Sequence, residues 1–214
     1  MDVTVIGTGN MARAIGKRLL AGGHNATLVG KDAEKAESAA DEVRSAGEGD
    51  GSVQTATSGD PLAGDVVILA VYYPDARGAV EDYGDQLDGK VVVDITNPVN
   101  ESYDALVVPP DSSATAELGQ LAPDGAKVVK AFNTTFANTL GPGKVAGQPL
   151  DVFIAGDDED AKETVAQLVK DGGQNPVDAG GLQRARELEA AGLLHMSVQG
   201  TLGTGFGSAL KVIA

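Results

Sequence analysis

Short apolar runs recur along the chain at intervals that leave room for one helix between each pair. Residues 3–6, 27–29, 65–71, 90–95 and 127–132 are rich in Val and Ile and are bounded by Gly, Pro, Asp or Asn. Such runs, apolar without alternation, predict strands buried on both faces. Between them the period lengthens. Met11, Ile15 and Leu19 recur at every fourth position with Arg13, Lys17 and Arg18 off that stripe, which predicts an amphipathic helix after the first strand. Asp32 is placed to cap a second helix over residues 33–45 that ends before Gly47, and Pro74 to open a third that runs through Tyr83. Residues 47–61 are polar and Gly-rich and read as a surface connection with a short strand near Val53. The alternation continues with a strand at 150–155, a helix at 158–169 and an extended piece at 176–178. A helical tail follows at 182–194, and Gly200, Gly203, Gly205 and Gly207 beyond it read as a loop or as tight helix packing. Strand and helix in alternation give βαβ units. The expected fold is α/β, a doubly wound, mostly parallel sheet of the Rossmann type over residues 1–180. A small C-terminal helical extension over residues 181–214 packs on it or on a dimer partner.

With 214 residues, 42% of them hydrophobic, the chain can build one substantial core. No apolar run approaches the roughly 18 residues a membrane span needs, and no basic leader or small-residue cleavage site opens the sequence. The expectation is a soluble, cytoplasmic protein. The absence of Cys removes disulfides, thiolate-bound metals and thiol catalysis, and two histidines, His24 and His195, leave little for a metal site, so none is expected. A net charge of -15 makes nucleic acid and anionic membranes poor partners. With 20 Asp against 11 Glu and few Lys, the surface suits concentrated salt, although a merely acidic soluble protein has the same look.

Chemistry enters at the first strand–helix junction. Gly7-Thr8-Gly9-Asn10-Met11-Ala12 follows the first strand and opens the first helix, the placement a dinucleotide-binding loop requires. Gly7 permits the tight turn, Gly9 a close approach to a pyrophosphate, and Ala12 close helix–strand packing, while the helix N-terminus offers free N–H groups. The second strand ends Leu28-Val29-Gly30-Lys31, without the acid that grips a ribose diol in NAD sites. Lys31, Lys35 one turn on, and the Thr8 hydroxyl can surround a 2′-phosphate, which favours NADP. Asp32 caps the helix or turns toward the ribose. The other strands deliver Ala70-Val71-Tyr72-Tyr73, Thr96-Asn97-Pro98 and Asn133-Thr134 to the same edge. Asn97 and Asn133 are candidates for the nicotinamide carboxamide and Tyr72 or Tyr73 for packing on a ring, although each alone is ordinary turn chemistry.

A carbonyl reductase needs a proton donor beside its hydride acceptor. Tyr72, Tyr73, Tyr83 and Tyr103 have Ala76, Arg77, Leu87 and Val107 four residues on, so no Tyr–Lys pair exists. His195, between Leu194 and Met196, reads as a packing or capping residue. No catalytic acid or base is assigned. Asn133 and Tyr72 are positioning candidates for hydride transfer between two rings.

Together these motifs resemble the coenzyme F420-dependent NADP reductase family. The resemblance runs through Ile6-Gly7-Thr8-Gly9-Asn10-Met11, Gly23-His24, Lys31 with Lys35, residues 65–71, Gly156-Asp157-Asp158 and Pro176-Val177-Asp178-Ala179-Gly180, most of the chain. It implies NADP and the deazaflavin coenzyme F420 as small-molecule redox partners. Val29-Gly30-Lys31 departs from the family's Gly-Ser-Arg, losing a hydroxyl and a bidentate cation. Val129-Lys130-Ala131-Phe132-Asn133-Thr134 is closer to the NADPH-binding domain of transmembrane ferric reductases, which points to a flavin as the alternative partner. The competing functions are therefore an NADPH-dependent flavin, ferric or quinone reductase and a module that binds NADP(H) without turnover. The Leu, Met, Val and Phe residues of segment 192–214 lead to the expectation of a homodimer.

If the dispersed acids reflect a salt-rich interior, the melting temperature should rise between dilute buffer and molar potassium chloride as repulsion is screened. A flat or falling value in a thermal-melt series would reject that origin.

Overall fold

The computed structural model describes residues 1–46 and 49–213. Gly47 and Glu48, which the sequence puts at the start of a surface connection, and Ala214 in the C-terminal extension lie outside the described residues. Among the described residues, one eight-stranded sheet organises the molecule. Its first six strands are β1 (Asp2–Ile6), β2 (Asn25–Gly30), β3 (Val53–Thr57), β4 (Val66–Leu69), β5 (Val91–Asp94) and β6 (Lys127–Lys130). They lie in the order β3-β2-β1-β4-β5-β6, every neighbouring pair parallel, so the winding reverses between β1 and β4. This is the doubly wound dinucleotide-binding order. A two-residue hairpin, β7 (Lys144–Val145) and β8 (Gln148–Pro149), then leads into β9 (Asp151–Gly156), which lies antiparallel to β6. The last strand, β10 (Asn175–Gly180), runs parallel to β9 at the sheet edge, with a register shift between Asp178 and Gly180.

Alternate side chains of the strands feed two apolar layers. Val3, Val5, Ile68 and Val93 pack beneath α1 (Asn10–Ala21), α2 (Ala33–Arg44), α5 (Ala137–Leu140) and α6 (Glu159–Asp171). Ile6, Val67, Leu69 and Val92 pack beneath α3 (Tyr73–Tyr83) and α4 (Ala114–Leu121). Each such side chain, taken fully from water, contributes about 1.5–3 kcal/mol. Three helix starts, those of α2, α4 and α6, are closed by side chains. Asp32 accepts from Lys35 N at 2.9 Å, Ser113 from Ala116 N at 3.0 Å and Asp158 from Ala161 N at 2.8 Å.

After β10, a 3-10 turn (Leu182–Arg184) leads into α7 (Ala185–Ser197) and α8 (Gln199–Leu202). The residues beyond α8 are held down: Lys211 Nζ bonds Asp151 Oδ1 at 2.5 Å, Val212 N donates to Asp151 Oδ2 at 2.8 Å, and Asn138 Nδ2 donates to Gly205 O at 3.0 Å.

The tightest fastening of α7 to the sheet is ionic. Lys130, at the end of β6, is 0% exposed. Its ammonium donates to Asp94 Oδ2 at 2.8 Å, Thr96 O at 2.5 Å and Glu189 Oε1 at 3.0 Å, so its three protons meet three acceptors. Asp94 and Glu189 are equally buried. Asp94 also accepts from Thr96 N and from the Thr115 hydroxyl, each at 2.8 Å. Glu189 accepts from Ala114 N at 3.3 Å, at the positive end of α4. Burial pushes the Glu189 carboxyl above its usual range, against the opposing pull of the Lys130 ammonium.

Lys130→Met leaves two buried carboxylates without their cation and should cost about 3–5 kcal/mol of stability. A buried carboxyl left without its cation binds its proton more readily in the folded state than in the unfolded chain. The deficit should therefore shrink as pH falls from about 8 to about 5. Denaturant melts of both proteins across that range provide the check; a deficit that grows toward acid would contradict the assignment.

Candidate active site

A cleft of about 720 Å³ runs along the C-terminal ends of the parallel strands, across the reversal between β1 and β4. In sheets of this kind that is where ligands bind. The cleft has three stretches.

In the middle lies the loop Gly7 to Met11, all of whose residues line it. Gly7 has φ +129°, and a Cβ there would stand 2.3 Å from the Ala70 carbonyl oxygen, so only glycine passes between β1 and β4. At Gly9 an added Cβ meets nothing within 4 Å, because that position faces open cleft. No side chain caps α1, and its first turn carries no acid. Its leading N–H groups are thus left for an anion, and the open loop gives a pyrophosphate room to reach them.

The second stretch is the tip of β2 and the start of α2, where Gly30, Lys31, Asp32 and Lys35 line the cleft with Ser58. Asp32 is committed as the helix cap. Lys31 is paired across the mouth with Asp75 on α3 at 2.9 Å, both side chains largely in solvent, and that hydrogen bond holds the ammonium pKa above its usual value.

The third stretch gathers Ala70, Val71, Tyr72, Tyr73, Asn97 and Asn133 as the sequence anticipates. Pro98 is a correction. It does not line the cleft; it is buried, and its carbonyl accepts from Val107 N at 2.7 Å to close the following loop. Tyr73 lines the cleft, but its phenol donates to Glu117, and Arg77 Nη1 reaches both groups, at 3.3 Å and 3.0 Å. Burial first, and the Glu117 hydrogen bond second, raise the Tyr73 pKa, so its proton stays on a bond within the α3–α4 layer. The two asparagines bond each other: Asn97 Nδ2 donates to Asn133 O at 2.7 Å, and Asn133 Nδ2 to Asn97 Oδ1 at 2.9 Å. Asn133 Oδ1 and Thr96 Oγ1 are buried there without a partner.

His195 lies behind this wall, 3% exposed. Its Nδ1 lies 3.1 Å from Thr134 O and its Nε2 2.8 Å from Ser208 Oγ, while its ring centroid is 4.3 Å from that of Phe136. Burial lowers its pKa, which favours the neutral ring. With the ring proton given to the Thr134 carbonyl, Nε2 accepts from Ser208 and offers no proton to the cleft.

Several lining residues were not foreseen. Asp75 follows a proline that reads only as a helix opener. Tyr103, Phe136 and Phe206 come from loops and the tail and Met196 from the last turn of α7, and Phe136 and Phe206 meet edge to face at 5.0 Å. A signal appears only in the backbone. Among the described residues four non-glycine positions have positive φ, and three of them, Tyr103, Phe132 and Phe206, line the cleft. Such strain, of order 1–3 kcal/mol each, gathers at ligand sites. No group of His, Asp or Glu that could hold a metal occurs among the described residues, and none of their helices is long and apolar enough to cross a membrane.

The family model described as "NADP oxidoreductase coenzyme F420-dependent" matches residues 2–98. The F420-dependent NADP reductase of Methanothermobacter thermautotrophicus is 32% identical over 200 residues, 88% of this chain and 85% of that one. Metalloreductase STEAP3 of Rattus norvegicus is 31% identical over 188 residues, 88% of this chain but 36% of that protein. A crystal structure from Arthrobacter sp. FB24 superposes with a TM-score of 0.85 at 28% identity, covering 99% of each chain.

Proposed function

The chain belongs to the F420-dependent NADP oxidoreductase family, and from that premise we propose that this NADP-dependent oxidoreductase moves hydride between NADP(H) and the deazaflavin coenzyme F420. The observation that carries the reading is one cleft joining an uncapped helix N-terminus to an aromatic wall, with the Tyr73 phenol and the His195 ring committed to bonds outside it. The N–H groups of α1 bind the pyrophosphate, and Thr8, Lys31 and Lys35 take the 2′-phosphate. At the other end, the unpartnered Asn133 Oδ1 and Thr96 Oγ1 suit the N–H groups of the nicotinamide carboxamide. Tyr72, Tyr103, Phe136 and Phe206 offer faces for a second ring, which must lie within roughly 3–3.5 Å of the nicotinamide for direct transfer. Reduced nicotinamide supplies the hydride, and a delocalised acceptor takes up the charge without an acid from the protein.

Residues 1–180 serve as the nucleotide-binding unit and residues 181–214 as an extension that completes the acceptor side. Leu194 and Leu202, exposed on that extension, supply the surface on which two copies meet. The likeness to a metalloreductase favours a second reading, in which a flavin replaces the deazaflavin and passes electrons to a metal. Mixing the protein with NADPH and F420 under anaerobic, salt-matched conditions, beside flavin with ferric ion, separates the two. Loss of deazaflavin absorbance supports the first reading, and turnover confined to the flavin arm supports the second.

NADPH should bind at least about tenfold tighter than NADH. Lys31→Ala should erase most of that gap, and Asp75→Asn, which frees Lys31 and removes a carboxylate facing the phosphate, should widen it. Superimposable calorimetric titrations for the two nucleotides would sink the assignment of the 2′-phosphate.

The wall and the phosphate site should separate kinetically. Asn133→Ala should lower turnover much more than NADPH affinity, while His195→Ala should leave turnover within a few-fold. A drop of about a hundredfold for the histidine variant alone would restore a protein acid to the mechanism and a carbonyl or imine to the list of substrates.

A further inference from the structure

Glycine is a poor helix former, yet Gly192 stands in the middle of α7. The reason lies outside the helix. A Cβ at this position would come within 2.6 Å of Asn97 Oδ1 and within 2.9 Å of its Cγ and Nδ2. No side chain fits between α7 and the Asn97 carboxamide. One turn earlier, Leu188 O accepts from Asn133 Nδ2 at 2.8 Å. Helix α7 therefore touches both rim asparagines, one through a notch and one through a carbonyl.

These contacts decide which atom of Asn133 is left over. Its amide nitrogen spends both protons, on Leu188 O and on Asn97 Oδ1. Rotating the carboxamide by half a turn would set its oxygen against those same two acceptors, so the flipped state is forbidden and Oδ1 is the atom left unpartnered. The Lys130–Glu189 contact, at the residue after Leu188, keeps α7 from shifting along the sheet.

We propose that Gly192, with the Leu188 carbonyl and the Glu189–Lys130 anchor, is a positioning element for hydride transfer: it holds Asn97 and Asn133 as one rigid unit whose unpartnered oxygen is kept for the nicotinamide end. This rests on the reading of those asparagines as the residues beside the nicotinamide. Gly192 is then part of the active site without touching either reactant, and a single methyl group there disturbs alignment and not nucleotide binding.

The test is Gly192→Ala, which leaves no buried charge and improves helix propensity. The variant should keep its melting temperature and bind NADPH within about threefold of wild type, while kcat falls by about tenfold or more. In the free protein, the carboxamide protons of Asn97 and Asn133, each bonded, should exchange slowly by NMR, and quickly once Gly192 is alanine. In an Asn97→Ala background the same change should add less than about twofold, because its target is gone. An unchanged kcat, a loss confined to NADPH affinity, or an equal further loss in the Asn97→Ala background would each overturn the proposal. If Gly192→Ala does not fold, Glu189→Gln loosens the same helix; it should lower the melting temperature, and where it still folds it is judged by kcat, NADPH affinity and carboxamide exchange. If Asn97→Ala and Asn133→Ala leave turnover intact, the underlying site reading fails, and carboxamide exchange in Gly192→Ala still decides whether α7 holds the pair.

Discussion

An ammonium group buried away from water must place all three of its protons, and Lys130 can do so only where Asp94, Thr96 and Glu189 converge. That requirement fixes the relation of three pieces of chain distant in sequence: the end of β5, the end of β6 and the middle of α7. Ion pairs of this kind are poor sources of net stability, because desolvation of the charges offsets their attraction. Their value lies in the penalty on every other arrangement. A helix that merely packed on the sheet could slide by a fraction of a turn; one that carries Glu189 to a buried cation cannot.

The active-site geometry inherits that constraint. Thr96 and Asn97 lie two and three residues after Asp94, Asn133 lies three residues after Lys130, and Leu188 is adjacent to Glu189, so the asparagine pair is built on the same three backbones as the ion cluster. The glycine-loop end has a different foundation, resting on Gly7 and the uncapped start of α1. The cleft thus has one end held by local backbone geometry and another held by long-range electrostatics.

This division explains what could be read from the amino-acid sequence. The glycine-loop end is written in consecutive residues: a Val-rich strand, Gly7 and Gly9, then an amphipathic stripe, and the parallel sheet follows from repeats of the same kind. Lys130 gave no such warning, since within an apolar run it looks like an ordinary strand-end lysine and its partners lie 36 and 59 residues away. Asn97 and Asn133 could be placed at one edge from strand order, but their mutual bond needs side-chain geometry. Pro98 was grouped with Asn97 by adjacency, and the turn that buries it depends on Val107. Helix α4 is short and Ala-rich, with too few apolar repeats to announce a period. Phe206 reaches the cleft only because the tail doubles back, in a conformation that aromatic residues seldom adopt.

The outer strand β10 bears on how copies of this chain can associate. Its residue Asn175 donates inward to Leu150 O at 2.8 Å, so by alternation the next backbone position faces the open edge, and that position is Pro176, which has no N–H to give. Two residues on, the Asp178 carboxylate is drawn to Lys162 of α6 at 3.0 Å, and the register slips immediately after it. A strand from another molecule would meet a missing donor and then a kink, so this border is shielded from the edge-to-edge growth that leads to fibres. Any ordered assembly through this side of the molecule has to be made by helices and loops meeting face to face.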